Sequence, residues 1–363
     1  MRILYGVVGE GMGHAIRSRV ILEELTQKHE VQIVASGRAH DFLKRRFEGA
    51  AKVNHIWGLT LNYHDNEVKK FATAVQNVRG ALAQGGLPEN LTRYFQMMLD
   101  FAPQVVISDF ESWSYLFALS ERLPVISIDN MQIINRCAHD ESILTNHHAS
   151  FQLAKTIVKA KCPFASHYLV STFFYPPVRK DKTTLVPPIL RPDILAARAQ
   201  VRQGDHLLVY QTSDTNSRLP AILATLPVPC HVYGLRRDLA RDVIEGNITY
   251  RPFSEAAFIE DLATARGVLA GGGFTLMGEA IYLRKPFLAV PLAGQFEQII
   301  NGRYLEQLGY GAMVEELTSD AAKTFLEKIP DYQRALASYD QEGNTRLFSE
   351  LETLLDRAAG GLL

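Results

Sequence analysis

One stretch limits what this chain can fold into more than any other: G-V-L-A-G-G-G-F-T-L-M-G-E-A-I-Y-L-R-K-P-F-L-A-V-P-L-A-G-Q-F-E-Q-I-I-N-G-R-Y-L-E-Q-L-G, residues 267–309. It reads as a short apolar strand at 268–270, a glycine turn, a helix over 274–283, a second apolar strand at 286–291, and a further helix after a polar tail. Two buried strands joined through a helix pair in parallel, so the stretch commits its surroundings to an α/β sheet. It also offers a place to hold a ligand. Gly271, Gly272 and Gly273 let the backbone approach closely and adopt positive φ, while the first N–H groups of the next helix, with its dipole, favour an anion such as phosphate. Glu279 lies about one turn inside that helix, poorly placed for phosphate and well placed to accept hydrogen bonds from the vicinal hydroxyls of a ribose.

The same order opens the chain. Residues 2–8 read as a buried strand, 9–13 as a glycine turn, 16–28 as a helix with Val20, Ile21, Leu22 and Leu25 inward, and 31–35 as a second strand. Helices are expected at 40–47, at 88–101 and up to Glu121. Strands are expected near 53–57, at 105–108 and before Asp129, and Asp109 falls at the carboxyl end of its strand. These strands, alternating with helices, make a doubly wound first domain. Prolines then crowd between Tyr168 and Pro192, which places the inter-domain connection near 186–192. A second α/β set follows, with strands at 206–211, 231–233 and 248–251, and helices at 219–224 and 258–265. A capped helix after Thr318 and an amphipathic one at 345–358 close the chain. The 363 residues therefore divide into a first domain at 1–185, a linker at 186–200, a second domain at 201–342 and a terminal helix segment at 343–363.

Composition removes several function classes. A formal net charge of -1 gives no global attraction to nucleic acid, and none is expected as a partner. Cys137, Cys162 and Cys230 lack metal-ligand or C-x-x-C spacing and read as buried thiols of a reducing compartment. No apolar run approaches the length of a membrane span and the apolar start is too short for a signal peptide, so a cytoplasmic protein is expected. His139, Asp140, Glu141, His147 and His148 invite a metal reading. A helical spacing of eight residues would set His139 and His147 about 12 Å apart, so a solvated helix without a metal is expected. The loop and helix at 62–79, with Tyr63, His64, Lys69, Lys70 and Phe71, read as an exposed segment on the acceptor side.

The amino-terminal G-V-V-G-E-G-M-G-H fits a dinucleotide fingerprint poorly. His14 displaces the third glycine, and strand two ends in Ala35-Ser36-Gly37-Arg38 without the acid that holds an adenosine ribose; only Arg38, facing a 2′-phosphate, keeps an NADP oxidoreductase open. His14 itself stands at the mouth of a strand-turn-helix unit, where ligands bind in such sheets, and an imidazole there suits proton transfer. The plainer reading of the same residue is a helix cap.

Taken together, G-M-G-H, the aspartate after V-V-I-S-D, and G-G-G-F-T-L-M-G-E followed by P-L-A-G-Q-F-E-Q-I-I-N-G resemble inverting glycosyltransferases of the GT-B fold. The similarity is to the lipid-II-forming N-acetylglucosaminyltransferase and to UDP-sugar enzymes acting on small molecules. The resemblance implies two Rossmann-like domains facing across a cleft, acceptor on the first, donor on the second, and a terminal helix crossing back. It assigns the donor diphosphate to Gly271, Gly272, Gly273 and Thr275, with Gln211, Thr212 and Ser213 adding phosphate contacts. The ribose goes to Glu279 and the sugar hydroxyls to Gln295, Glu297 and Gln298, with Asn301 nearby; the segment reaching Phe253 lies at the base. His14 becomes the base and Asp109 its orienting acid, with Gly11, Gly13 and Arg17 on the acceptor side. The nucleotide-sugar is then a substrate, with no resident cofactor and no obligatory metal. Contact with a membrane surface is implied where the acceptor is a lipid.

Three other functions share parts of this pattern. G-x-G-H-x-x-R also resembles the nucleotide-sugar hydrolases of pseudaminic-acid synthesis, in which His14 would activate water. The residues between Trp57 and Pro103 leave room for an acceptor and favour transfer. A non-hydrolysing UDP-sugar 2-epimerase would need paired glutamates after the glycine loop, which this sequence lacks. A non-catalytic nucleotide-sugar-binding regulator would have no use for His14.

Overall fold

The computed structural model describes every residue except Glu10, 57–88, 212–217 and Arg237. The chain divides into two compact units: Met1–Ile189 joined by Asn344–Leu363, and Leu190–Gly343.

In the first unit, β1 (Arg2–Val7), β2 (Glu30–Ala35), β3 (Lys52–His55), β4 (Val105–Asp109), β5 (Val125–Asp129), β6 (His167–Ser171) and β7 (Thr183–Val186) form one parallel sheet in the order β3-β2-β1-β4-β5-β6-β7. β1 and β4 are buried along nearly their whole length, as expected of parallel strands covered on both faces. The chain winds outward from β1 in one direction, then returns to its other side at β4. That reversal makes the carboxyl ends of β1 and β4 a topological switch point, where sheets of this kind bind ligands.

The second unit repeats the plan with β8 (Leu207–Tyr210), β9 (Cys230–Tyr233), β10 (Val243–Glu245), β11 (Ile248–Tyr250), β12 (Gly267–Ala270), β13 (Phe287–Ala289) and β14 (Gly311–Met313). Their order is β10-β11-β9-β8-β12-β13-β14, parallel except for the β10–β11 pair. The reversal falls between β8 and β12, so the glycine loop after β12 lies at this unit's switch point.

Four strands were not read from the sequence: β6 at the start of the proline-rich stretch and β7 inside it complete the seven-stranded first sheet, and β10 and β14 flank the second sheet. The segment 186–200 is not a bare linker, since it carries the helix Pro192–Ala197 and a 3₁₀ turn, Arg198–Gln200. The first helix begins earlier than expected, at Met12, with Gly11 at its cap in the left-handed region (φ 79°) that glycine adopts freely. The terminal helix Thr345–Ala359 buries Leu347, Leu351, Leu354 and Leu355 in the same core as Ile3, Tyr5 and Ile33. A separate core built on Leu207, Val209, Leu269 and Leu288 serves the second unit.

Candidate functional site

At the first switch point, Val7 and Asp109 are register partners at the ends of β1 and β4. Asp109 is fully buried and accepts from three side chains of the helix Met12–Lys28. His14 Nδ1 is 2.8 Å from Oδ1, Arg17 Nε donates to Oδ2 at 2.8 Å with Nη2 donating to Oδ1, and Ser18 Oγ donates to Oδ2 at 2.8 Å. Arg17 Nη2 also lies 2.5 Å from His14 Nδ1, but it donates to Asp109 Oδ1, and because an ionised carboxylate can only accept, we assign the imidazole proton to Nδ1, which leaves the lone pair on Nε2. Burial would raise the Asp109 carboxyl, but Arg17 and His14 outweigh it and hold its pKa at about 2. The His14 pKa is lowered, first by burial and then by the Arg17 guanidinium, against the pull of Asp109. Neutral imidazole with a free Nε2 is the form a general base requires.

Two neighbours complete this arrangement. Phe110, directly after Asp109, holds a positive φ of 57°, a conformation a bulky residue adopts only when its surroundings enforce it. Its ring lies nearly parallel to the His14 imidazole, with centroids 6.3 Å apart, and Lys161 Nζ sits 4.9 Å from the Phe110 centroid. Arg17 Nη1 reaches Asn130 Oδ1, just beyond β5. Arg17 is thus buried and turned toward Asp109. The i, i+3 spacing of His14 and Arg17 on one helix face was the available signal. Nothing in the sequence marked Phe110 or Lys161.

At the second switch point, Ala270 pairs with Tyr210, and Gly271, Gly272 and Gly273 lead into the helix Phe274–Tyr282. Gly273 caps that helix without any side-chain hydrogen bond, and the helix's first backbone bond runs from Met277 N to Gly273 O. Such an end presents backbone N–H groups and the positive pole of the helix. Glu279 is buried, and each of its oxygens accepts from Arg191 at 2.7 Å. Arg191 Nη1 also donates to Glu255 Oε1 at 2.8 Å. Each Glu279 oxygen keeps a second lone pair. The sequence reading passed over Arg191, although a lone cation in the apolar run P-P-I-L-R-P was a signal that it has a buried partner.

Gln295 caps the helix Phe296–Gln307, and Glu297, Gln298 and Asn301 lie on its first turns. Gln298 Oε1 accepts from Gly272 N and Leu292 N, and Asn301 Nδ2 donates to Gly272 O and Glu297 Oε1. Phe253 is 74% exposed just past β11, three strand positions from β12, about 14 Å along the sheet edge. Gln211 follows β8, half-buried. Thr212 and Ser213, with the segment 62–79, lie outside the described residues.

The 139–148 cluster is not one solvated helix. Glu141–Leu144 and the helix starting at His148 are separate, His139 is half-buried against Ile133 O, and His148 pairs with Glu141. Among the described residues, His206, His231 and Asp261 bring three potential metal-ligand atoms within 4.8 Å of one another, a grouping the spacing did not announce. Asp261 Oδ2 is already 2.9 Å from Arg251 Nε and accepts from Tyr233 at 2.7 Å, while the two imidazoles stack at 4.1 Å. A guanidinium beside the carboxylate and in-plane lone pairs on parallel rings do not converge on a cation.

Residues 1–330 match the family described as glycosyl transferase family 1. The chain is 22% identical to an uncharacterized glycosyltransferase of Methanosarcina mazei, covering 97% of this chain and 98% of the relative. One of Methanosarcina acetivorans is also 22% identical, over 88% of this chain and 86% of the relative. Among solved structures, the calicheamicin glycosyltransferase CalG4 superposes with a TM-score of 0.63 at 17% identity, covering 98% of each chain. Phytolacca americana UGT2, complexed with UDP-2fluoro-glucose and pterostilbene, gives 0.62 at 14% identity, over 97% of this chain and 99% of that one.

Proposed function

The chain therefore belongs to glycosyl transferase family 1 and is a glycosyltransferase of the GT-B fold, and we propose that it is an inverting enzyme carrying a sugar from a UDP-sugar to an acceptor hydroxyl. The observation that supports this best is the His14 imidazole, held through Nδ1 by buried Asp109 at a sheet switch point. In this reading the acceptor oxygen attacks the anomeric carbon while the bond from that carbon to the diphosphate oxygen breaks. The acceptor proton passes to His14 Nε2, and UDP leaves with the electron pair. A single displacement from the far side inverts the anomeric centre. Asp109 fixes the tautomer and steadies the imidazolium that forms.

The donor is assigned to the second unit. Gly271, Gly273 and Thr275, with the helix N-terminus, meet the diphosphate charge as it develops, so this reading calls on no metal. Glu279, steadied by Arg191, accepts from the ribose hydroxyls, Gln295 and Glu297 face the sugar, Gln211 adds a phosphate contact, and Phe253 offers an aromatic face to the base. A uridine nucleotide is favoured by the solved complex of the Phytolacca americana relative with UDP-2fluoro-glucose. A lipid acceptor would be met at the membrane surface, since no helix among the described residues is long and apolar enough to cross a bilayer.

The test is a thermal-shift panel of UDP, GDP, dTDP and NADP, followed by donor turnover with and without acceptor alcohols. Stabilisation by UDP and acceptor-dependent turnover are expected. Stabilisation by NADP alone would overturn the donor assignment. Cleavage of UDP-sugar at full rate in water alone would make the protein a hydrolase.

A further inference from the structure

The glycine loop does not hold its own shape; the next helix holds it. Gly272 has both backbone polar groups taken by side chains of the helix Phe296–Gln307: its N–H donates to Gln298 Oε1 at 3.2 Å, and its carbonyl accepts from Asn301 Nδ2 at 3.0 Å. The same Gln298 oxygen accepts from Leu292 N at 3.0 Å. One amide oxygen thus ties together the loops that leave two adjacent strands, β12 and β13. The backbone at Gly272 lies directly on this helix, for a Cβ there would stand 2.5 Å from Gln298 O and 2.8 Å from Gln298 Cβ. Gln298 is 8% exposed and Asn301 1%.

Hydrogen-bond capacity decides what Gln298 has left to offer a ligand. An amide oxygen has two lone pairs, and both accept backbone N–H groups here. One of the two Nε2 hydrogens goes to Gln295 Oε1. The sequence resemblance gives this residue to the donor sugar; its bonds point to the loop.

We infer that Gln298 and Asn301 are positioning residues that fix the 271–273 loop in its anion-receiving shape, the Gln298 side-chain oxygen being committed to that loop while one Nε2 hydrogen is left for a ligand. The inference rests on the donor-site reading above. Removing the Gln298 amide leaves the buried N–H of Gly272 and that of Leu292 without acceptors, and the loop moves to satisfy them. The diphosphate then loses its preformed cradle, whereas the nucleoside contacts do not depend on it.

The experiment measures binding of UMP, UDP and UDP-glucose by calorimetry to the full-length chain and to Gln298→Met, which keeps volume but removes the amide. Gly272→Ala displaces the same loop from the opposite side and serves as the second variant. Circular dichroism and thermal midpoints define a temperature at which each is folded. The expected result is that UDP weakens about tenfold and UDP-glucose at least as much, while UMP weakens less. Unchanged UDP affinity with weakened UDP-glucose would return Gln298 to the sugar and overturn the inference. So would equal weakening of all three nucleotides, the mark of a residue that only supports the fold. A wild-type chain that binds no UDP would overturn the donor-site reading itself, and this inference with it.

Discussion

Asp109 serves three donors at once, and that shared service sets the chemistry of His14. The carboxylate draws the imidazole toward protonation, while burial and the Arg17 guanidinium draw it the other way and prevail. His14 is therefore neutral below its ordinary pKa of 6.5. Replacing His14 with alanine should lower turnover by about 10²–10⁴-fold and leave UDP affinity nearly unchanged; a parallel loss of both would place the imidazole at the nucleotide instead. The sign of the pH dependence follows. Activity needs the unprotonated base, so kcat/KM should rise with pH along a limb lying below the ordinary histidine value of 6.5. Lys161, next to Phe110, adds a second cation that opposes protonation of His14. Lys161→Met should therefore move that limb to higher pH, and a pH–rate profile that does not shift would show that another group titrates. His14 and Asp109 were legible because each follows a strand end or glycine turn. The spacing showed that Arg17 shares a helix face with His14, but not that Asp109, across the sheet, is its partner.

Length alone did not make an element legible: the helix His148–Lys161 and β6 went unread, whereas the four-residue β12 was read. The helix Phe274–Tyr282, the strands β1, β4 and β12, and the terminal helix announce themselves by apolar runs and period, as buried elements must. β10 and β14 have three residues each, too few for any alternation to register. β7 sits between proline pairs and is tolerated there because it is the edge of its sheet. The glycine loop was legible as a turn between strand and helix, whereas the hydrogen bonds that hold it, from Gln298 and Asn301, and the Arg191 partner of Glu279 are tertiary contacts that no linear pattern announces. The Arg191–Glu279 pair gives this scale its prediction. Glu279 is 1% exposed and Arg191 6%, so removing one partner strands the other charge away from water. Arg191→Met should cost about 3–5 kcal/mol of stability, read by urea denaturation, whereas Arg191→Met with Glu279→Leu should recover much of that loss. A single variant within about 0.5 kcal/mol of wild type would mean that water reaches Glu279.

For the whole chain, the division into units is not the division of the sequence. Leu190–Gly343 is one continuous segment with its own core, whereas the first unit is assembled from Met1–Ile189 and the last twenty residues, Asn344–Leu363. The linear pattern set 343–363 apart as its own segment, and the resemblance implied that its helix crosses back; the helix does join the core of the first unit. The helix Thr345–Ala359 places Leu347, Leu351, Leu354 and Leu355 on one face, each no more than 3% exposed, in the core that also holds Ile3, Tyr5, Val7 and Ile33. Burying a leucine contributes about 1.5–3 kcal/mol, so the four together amount to roughly 6–12 kcal/mol, as large as the net stability of an ordinary domain. The exposed Lys28–Glu352 ion pair adds little beside that. A chain ending at Gly343 should therefore keep a native second unit and lose the first. Calorimetry should show one unfolding transition where the full chain shows the contributions of both, and the surviving transition should still rise with UDP on the donor-site reading. Supplying residues 344–363 as a separate peptide should restore the missing transition, because the leucine face needs the core and not the covalent link. A truncated chain that retains both transitions without the peptide would show that the leucines fill a surface the first unit can leave bare.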